Sequence, residues 1–403
     1  MSHFVIIGAG QAGATVVETL RKNGFEGEIT LLGDEPQPPY QRPPLSKAYL
    51  LGEMALERLY LRPEAWYAEH DVTLIEGTRA TAIDRTARSV TLSNGDTLIY
   101  DKLALTTGAE PHRLPARIGG DLEGVYSVRT LADVDAMSPE FIAGRKALII
   151  GGGYIGLEAA AVAAKLGLKP TLVEMADRIL QRVAAPETSD YFRVLHRAHG
   201  VEMVEGVGVE ALVGEGRITR AKLTDGREIE VDFAIVGVGV APRTVLAEAA
   251  GLSLDNGIKT NAMAQTSDPD IYAAGDCAST PLDGTQIRIE SVGNAIDQAE
   301  IAALNMIGNA NTYTPKPWFW SDQFDVKLQI AGLNTGYTEV VVRGQGASVS
   351  HWYYNGETLL AVDAMNDPRA YMVGKRLIEA GRSPAREMVA DSEIDLKTIM
   401  TSA

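Results

Sequence analysis

Cysteine occurs once in the 403 residues, at Cys277. A single thiol excludes an internal disulfide framework and any Cys-x-x-Cys redox pair, and it suits a reducing compartment. Positive charge is also in short supply: 37 lysines and arginines face 53 aspartates and glutamates, for a formal net charge of −16. So acidic a chain has no general field with which to hold a nucleic-acid backbone or an anionic membrane surface. Long apolar runs are missing too, and stretches such as FAIVGVGVAP (233–242) are too short to cross a bilayer. No charged segment with a long apolar region comes before the run that starts at Phe4, so no secretory leader is expected. Together these absences predict a soluble, cytoplasmic protein. The remaining composition, 45% hydrophobic and 22% charged, is that of an ordinary globule long enough for two or three domains.

Glycine is plentiful, with 40 residues, and it is patterned. Phe4 to Ile7 is a short continuous apolar run, the form of a strand buried on both faces of a parallel sheet. Gly8, Gly10 and Gly13 follow at G-x-G-x-x-G spacing, with Ala12 inside the motif. The first glycine makes the tight turn, the second lets backbone approach a pyrophosphate, and the third lets helix and strand pack closely. The helix expected from about Gln11 directs free N–H groups and its positive dipole end at the phosphates, and Asn23-Gly24 stops it. A second strand, Ile29–Leu32, leads to Asp34 and Glu35, about 20 residues on, where an acid accepts from a ribose diol.

The device then occurs again. Ala147–Ile150 forms the strand, and Gly151, Gly153 and Gly156 repeat the spacing around Tyr154 and Ile155. A helix is expected to Leu166, with Gly167 as its stop, and the strand 170–174 ends on Glu174. A carboxylate there binds a ribose 2′-OH and repels a 2′-phosphate, which favours NADH; Arg178, four residues later, is the nearest cation. Two complete units imply two dinucleotides, and a flavin with a nicotinamide is the natural pair, because hydride passes between them.

Further segments carry a family resemblance. LALTTGAEP (103–111), AIVGVGVAPRT (234–244) and TSDPDIYAAGDCA (266–278) resemble the linking crossings and second flavin motif of flavoprotein pyridine-nucleotide reductases. PPYQRPPLSKAYL (38–50), VRTLADVDA (128–136), RIESVGNAIDQA (288–299) and PWFWSDQ (317–323) narrow the likeness. They resemble the oxygenase-coupled NADH–ferredoxin reductases, the putidaredoxin-reductase-like group. The resemblance implies an α/β, glutathione-reductase-like fold: two Rossmann-like dinucleotide-binding domains, with FAD at 1–110 and 245–318 and NADH at 111–244, plus a C-terminal α+β domain at 319–403. It implies a flavoprotein that passes electrons singly from NADH to a [2Fe–2S] ferredoxin serving a haem monooxygenase or ring-hydroxylating dioxygenase.

Carried onto this chain, the resemblance puts Lys47 by the flavin's reactive nitrogen and Glu158 opposite it on the nicotinamide side. A buried ammonium stabilises charge that develops there, and Glu158 keeps it paired. A structural ion pair at a domain seam is the competing reading. Arg42 and Arg129 go to the flavin pyrophosphate, Asp276 to its ribityl chain and Val292 to its ring. Ala82, Gly239 and Glu290 complete the cofactor-binding set. Trp320 goes to the nicotinamide pocket, or else is a core aromatic with Trp318 and Phe319.

No cysteine pair exists to make a dithiol reductase, and Cys277 reads as a small buried filler. Electrons must therefore leave the flavin for an external acceptor. Rubredoxin or a small acceptor such as a quinone or monodehydroascorbate stands as the alternative, and an NADH sensor like apoptosis-inducing factor as a further one. His196 and His199 share a helical face, expected to be solvated, and no metal site is expected. After Pro315 the strands 326–331, 339–343, 348–354 and 359–363 are expected, then a helix 368–380 and a polar tail. Arg343, Lys375, Arg376, Arg382 and Arg386 are either a face that steers an acidic ferredoxin or ordinary surface charge. Without a dithiol role for the C-terminal domain, a monomer or weak dimer is expected.

Overall fold

In the computed structural model, which describes residues 2–402, the chain divides into two compact units. The first comprises residues up to 41, 55–110 and 240–317; the second comprises 42–54, 111–239 and the residues from 318 onward.

The apolar run at Phe4 becomes the strand His3–Ile7 in the middle of a five-stranded sheet. Glu28–Leu32 and Lys102–Leu105 flank it, Val72–Ile75 and Ile271–Ala273 form the edges, and all pairings are parallel. Side chains alternate between the two faces. Phe4 and Ile6 join a core with Val16, Val17 and Leu20 of helix Gln11–Lys22 and with Ala295, Ala299, Ala302 and Ala303 of helix Val292–Met306. Val5 and Ile7 join a second core with Leu103, Leu105 and Ile271. Burial on both faces explains why the run has no polar alternation. The unit also carries a three-stranded antiparallel sheet (Ala80–Asp84, Ser89–Leu92, Thr97–Ile99) and a further three-stranded sheet of Ile258–Lys259, Ala278–Leu282 and Thr285–Ile287.

The second unit repeats the plan. Lys146–Ile150 lies between Lys169–Glu174 and Phe233–Val236, with Glu202–Glu205 and Val125–Ser127 outermost, again all parallel. Its own antiparallel sheet is Val209–Val213, Arg220–Leu223 and Glu228–Glu230. The same unit carries a five-stranded antiparallel sheet in the order Trp318–Gln323, Val326–Gly332, Thr358–Met365, Ser348–Asn355, Glu339–Gln345. Helix Pro368–Glu379 packs on it. No helix among the described residues is long and apolar enough to cross a membrane.

Three expectations need correction. The tail, expected only as polar, carries two helices, Arg386–Ala390 and Leu396–Ser402, and its Val389, Leu396 and Ile399 join the core around Trp352. Both helices are too short for a periodic signal to stand out. Arg343 is not a surface cation. It is buried, and its guanidinium donates to the carbonyls of Val389, Asp391, Ser392 and Ile394 at 3.1, 2.6, 3.3 and 2.6 Å, tying the tail down. His196 is not solvated either; it is fully buried in helix Pro186–Ala198, with its ring edge-on to Phe324, while His199 is exposed and stacks on the same ring.

Helix Pro186–Ala198 also contributes Thr188 to a buried polar cluster. Thr188 Oγ1 lies 2.7 Å from His351 Nδ1 and donates to Asp363 Oδ2 at 2.8 Å, and the Tyr353 hydroxyl also donates to Asp363. Burial pushes His196 and His351 from 6.5 down to about 4. The unfolded chain binds those two protons first, so acidification from pH 6.5 toward 4 favours unfolding, by up to ~3 kcal/mol for each ring. Asp363 opposes this, since burial raises it from 3.8 to about 6 and the folded chain then takes up its proton first. That contribution favours folding by up to ~3 kcal/mol over the same range. The expected balance is a loss of about 3–4 kcal/mol between pH 6.5 and 4. Urea-unfolding midpoints should fall steadily over that interval, and a flat profile would contradict burial of the two rings.

Candidate functional site

In the first unit, Gly8 has φ +117°, and a Cβ there would sit 2.1 Å from the Thr106 carbonyl oxygen. A Cβ on Gly13 would sit 2.0 Å from the Gly8 oxygen, so helix and turn touch backbone to backbone. Gly10 differs: a Cβ there meets nothing within 4 Å. It is the N-cap of helix Gln11–Lys22, no side chain caps that helix, and no acid lies in its first turn. Its leading N–H groups are therefore unspent beside an open cradle, which fits a phosphate.

The Gly-Asp turn comes to the same place. A Cβ on Gly275 would lie 3.1 Å from Ala12 Cβ and 3.7 Å from Ala295 Cβ, and its N–H donates to Gln298 Oε1 at 3.0 Å. This brings Asp276, and Val292 at the start of the next helix, to the first turn of Gln11–Lys22. The Asp276 carbonyl accepts from Arg288, which pairs with Glu290 at 2.6 Å. At the second strand's end, Asp34 pairs with Arg79 and Arg243 at 3.1 and 3.2 Å, and Glu35 accepts from the Tyr40 hydroxyl at 2.5 Å. Ala82 stands apart, exposed on the antiparallel strand Ala80–Asp84.

The second unit has the same cradle. A Cβ on Gly156 would lie 2.1 Å from the Gly151 oxygen, and one on Gly153 meets nothing. Helix Tyr154–Lys165 likewise has no side-chain cap and no acid in its first turn. Glu174 sits at the turn: its Oε2 accepts from Gly152 N at 2.5 Å and its Oε1 from Ala176 N at 2.7 Å. Arg178 is held elsewhere, donating to Ser189 Oγ at 2.5 Å and to the Ala184 carbonyl at 2.8 Å. Ile155 is exposed, while the Tyr154 ring lies tilted against Phe319 with centroids 4.9 Å apart, and its buried hydroxyl has no partner among the described residues. The Gly239 carbonyl accepts from His112 N at 2.9 Å.

A charged pair lies within the second unit. Pro43–Ser46 forms a single tight helical turn, and Lys47 follows it. Lys47 Nζ meets Glu158 Oε2 at 2.8 Å; Glu158 is 3% exposed and Lys47 17%. Ser46 Oγ donates to the same oxygen at 2.7 Å, and Ser321 Oγ donates to Oε1 at 2.6 Å. An ion pair this buried stands only with such additional donors. Ser46 and Ser321 were not foreseen as site residues, although RPPLSK and WFWSDQ contain them. The signal was available in the alternation of the strand Trp318–Gln323. Phe319 and Ser321 point at Tyr154 and Glu158 of one helix, while Trp318 and Trp320 stack on each other at 5.6 Å on the other face. Trp320 is thus placed on the opposite face from the pair. Arg42 donates to the Arg129 carbonyl at 2.7 Å, so those two residues are neighbours.

Of the other cations proposed for a docking face, Lys375 pairs with Glu379 and Arg386 with Glu339; Arg376 and Arg382 lie on the surface. Cys277 is fully buried, its thiol bonded to the Leu105 and Ala274 carbonyls, and burial raises its pKa. It is not poised as a nucleophile.

Residues 2–299 match the family model described as pyridine nucleotide-disulphide oxidoreductase, and residues 318–400 match the model described as reductase C-terminal. The chain belongs to the pyridine nucleotide-disulphide oxidoreductase family. It is 41% identical to putidaredoxin reductase of Pseudomonas putida over 99% of this chain and 97% of that one. It is also 41% identical to the ferredoxin reductase subunit of 5,5′-dehydrodivanillate O-demethylase of Sphingobium sp., over 99% of each chain. The structure of a covalent putidaredoxin reductase–putidaredoxin complex superposes with a TM-score of 0.97 at 40% identity, covering 100% of this chain and 99% of the other. As a member of this oxidoreductase family the chain is an enzyme that uses FAD and NAD(H), and the two open glycine cradles fit two dinucleotides. The disulphide in the family's description has no counterpart here, because the chain has one cysteine and it is buried.

Proposed function

We propose that this protein is a cytoplasmic, FAD-dependent NADH:ferredoxin reductase whose [2Fe–2S] acceptor serves an oxygenase. Two uncapped, acid-free glycine cradles in a chain with no usable dithiol carry the reading. The likeness to reductases of oxygenase systems supports the choice of acceptor.

Gly8, Gly10, Ala12, Gly13, Asp276 and Val292 would hold FAD, with Arg42, Arg129 and Lys47 assigned to it by the resemblance. Gly151, Gly153, Tyr154, Ile155, Gly156, Glu174 and Gly239 would hold NADH. We assign the FAD, NADH and C-terminal domains the boundaries drawn from the sequence. A bound flavin accepts a hydride and releases electrons one at a time. The protein's part is to bind, orient and balance charge. Each helix N-terminus offers unspent N–H donors to a pyrophosphate. Glu174, tied to the turn by two backbone donors, would accept from a ribose diol and repel a 2′-phosphate, and Arg178, the nearest cation along the chain, is spent on Ser189 and Ala184. The Lys47–Glu158 pair supplies a positive charge already desolvated and held in place. The exposed Arg376 and Arg382 offer an acidic carrier a local positive patch on an acidic molecule.

The test is anaerobic stopped-flow absorbance of the yellow holoprotein mixed with NADH, with NADPH, and then with a [2Fe–2S] ferredoxin. NADH should bleach the flavin at least ~100-fold faster than NADPH at equal sub-saturating concentration, since like-charge contact costs several kcal/mol. Ferredoxin should then restore the colour as it is reduced. Bleaching without transfer to any ferredoxin would move the acceptor to rubredoxin or a small molecule, and slow bleaching by both nucleotides would end the electron-transfer reading.

A further inference from the structure

A line of buried side chains runs on from Glu158, away from Lys47. Ser321 Oγ, at 2.6 Å from Glu158 Oε1, also lies 3.1 Å from Gln323 Nε2. Gln323 Oε1 lies 2.8 Å from His196 Nε2. Ser321, Gln323 and His196 are all fully buried. Ser321 and Gln323 share one face of the strand Trp318–Gln323 because strand side chains repeat every second residue. His196 reaches them from helix Pro186–Ala198.

Chemistry gives this line one direction. A carboxylate in an ion pair has no proton to donate, so Ser321 must donate to Glu158. With its hydrogen committed, the Ser321 oxygen accepts, and only the amide nitrogen of Gln323 can donate to it. That choice turns the Gln323 carbonyl toward His196, whose Nε2 must then carry the ring proton. Nδ1 is left bare, in agreement with its having no partner among the described residues. Every hydrogen in the line therefore points at Glu158.

We propose that His196 is a positioning residue for Glu158, acting through Gln323 and Ser321: its Nε2–H selects one of the two orientations of the Gln323 amide, and that orientation commits the Ser321 hydroxyl to the carboxylate. The inference rests on the reading in which Lys47 and Glu158 act at the reaction centre. Without the imidazole donor the amide can turn over. Its oxygen then faces Ser321 and takes the hydroxyl hydrogen, and Glu158 Oε1 loses its donor. The carboxylate is then free to rotate off the geometry that holds Lys47 Nζ at 2.8 Å. His196 does this as a fixed donor rather than a titrating one, because burial holds it neutral down to about pH 4.

The first experiment needs no turnover. In protein labelled with ¹⁵N-histidine, one imidazole should show a protonated Nε2 and a bare Nδ1, remain unchanged from pH 5.5 to 8, and vanish in His196→Phe. A protonated Nδ1, or titration within that range, would overturn the proposal.

The second experiment uses holoprotein and NADH-driven flavin reduction. His196→Phe keeps an aromatic ring beside Phe324 and removes the donor; it should lower the limiting rate about tenfold while leaving half-saturation for NADH within about twofold. His196→Gln, which keeps an N–H donor, should recover most of the rate. Ser321→Ala should lose about as much as His196→Phe, and the double variant no more than either, since the residues act in series. Equal rates in His196→Phe and wild type, or additive losses, would overturn the proposal. Failure of the wild-type holoprotein to be reduced by NADH would end the functional reading instead, and the tautomer test would still decide the chain.

Discussion

Glu158→Leu is expected to be the most damaging single substitution in this protein. It removes the acceptor of Lys47, Ser46 and Ser321 at once and leaves an ammonium that is only 17% exposed without its counter-charge. Breaking a buried pair by removing one partner costs about 3–5 kcal/mol. The unfolding midpoint should fall accordingly, and, on the proposed reading in which Lys47 acts on the flavin, NADH-driven flavin reduction should drop by roughly 100-fold or more as that charge loses its placement. The double variant Lys47→Met/Glu158→Leu separates the two effects. With both charges gone the stability loss should shrink to within about 1–2 kcal/mol of wild type, because a buried ion pair adds little over apolar side chains of similar size. The reduction rate should stay low. Recovery of the rate together with stability would show that the pair is only structural.

The second large effect is expected from the paired variants Gly13→Ala and Gly156→Ala. A Cβ at Gly13 would stand 2.0 Å from the Gly8 carbonyl oxygen, and one at Gly156 stands 2.1 Å from that of Gly151. Backbone is the obstacle in both cases, so the turn must open by about 1 Å or more to reach ordinary contact distance. Opening swings the helix's first N–H groups away from the phosphates. Gly13→Ala should purify largely without flavin, measured as the ratio of visible to protein absorbance. Gly156→Ala should purify yellow, yet be reduced by NADH at least ~100-fold more slowly at sub-saturating concentration, with little change when a chemical reductant replaces NADH. Loss of flavin from Gly156→Ala, or normal NADH response, would refute the assignment of one dinucleotide to each turn.

Some of this was legible before any coordinates. The two glycine turns stand out because backbone sterics allow few residue types there, and each requirement is local to about ten residues. The runs Phe4–Ile7 and Ala147–Ile150 name themselves as central strands because both of their faces are covered. Four of the five strands after Pro315 were found to within a residue or two, since they alternate and end in glycine or asparagine turns, while Trp318–Gln323 was not read as a strand. Arg343 was misread because charge on a strand says nothing about what lies over it; the carbonyls it binds come from residues 389–394, roughly fifty positions on. His196 was misread for the same reason, as its partner Gln323 is 127 residues distant.

The sequence by itself determined the two strand–glycine turn–helix–strand units, the acid at the end of each second strand and the absence of a dithiol. Those depend on residue type at fixed short spacing, where sterics and covalent chemistry leave little choice. Only the tertiary structure decided that Glu158 meets Lys47, Ser46 and Ser321 together, that Trp320 lies on the far face of its strand, and that a buried histidine ends a chain of donors. Those facts depend on which distant segments pack against one another, and packing is settled by the whole core rather than by any stretch of it.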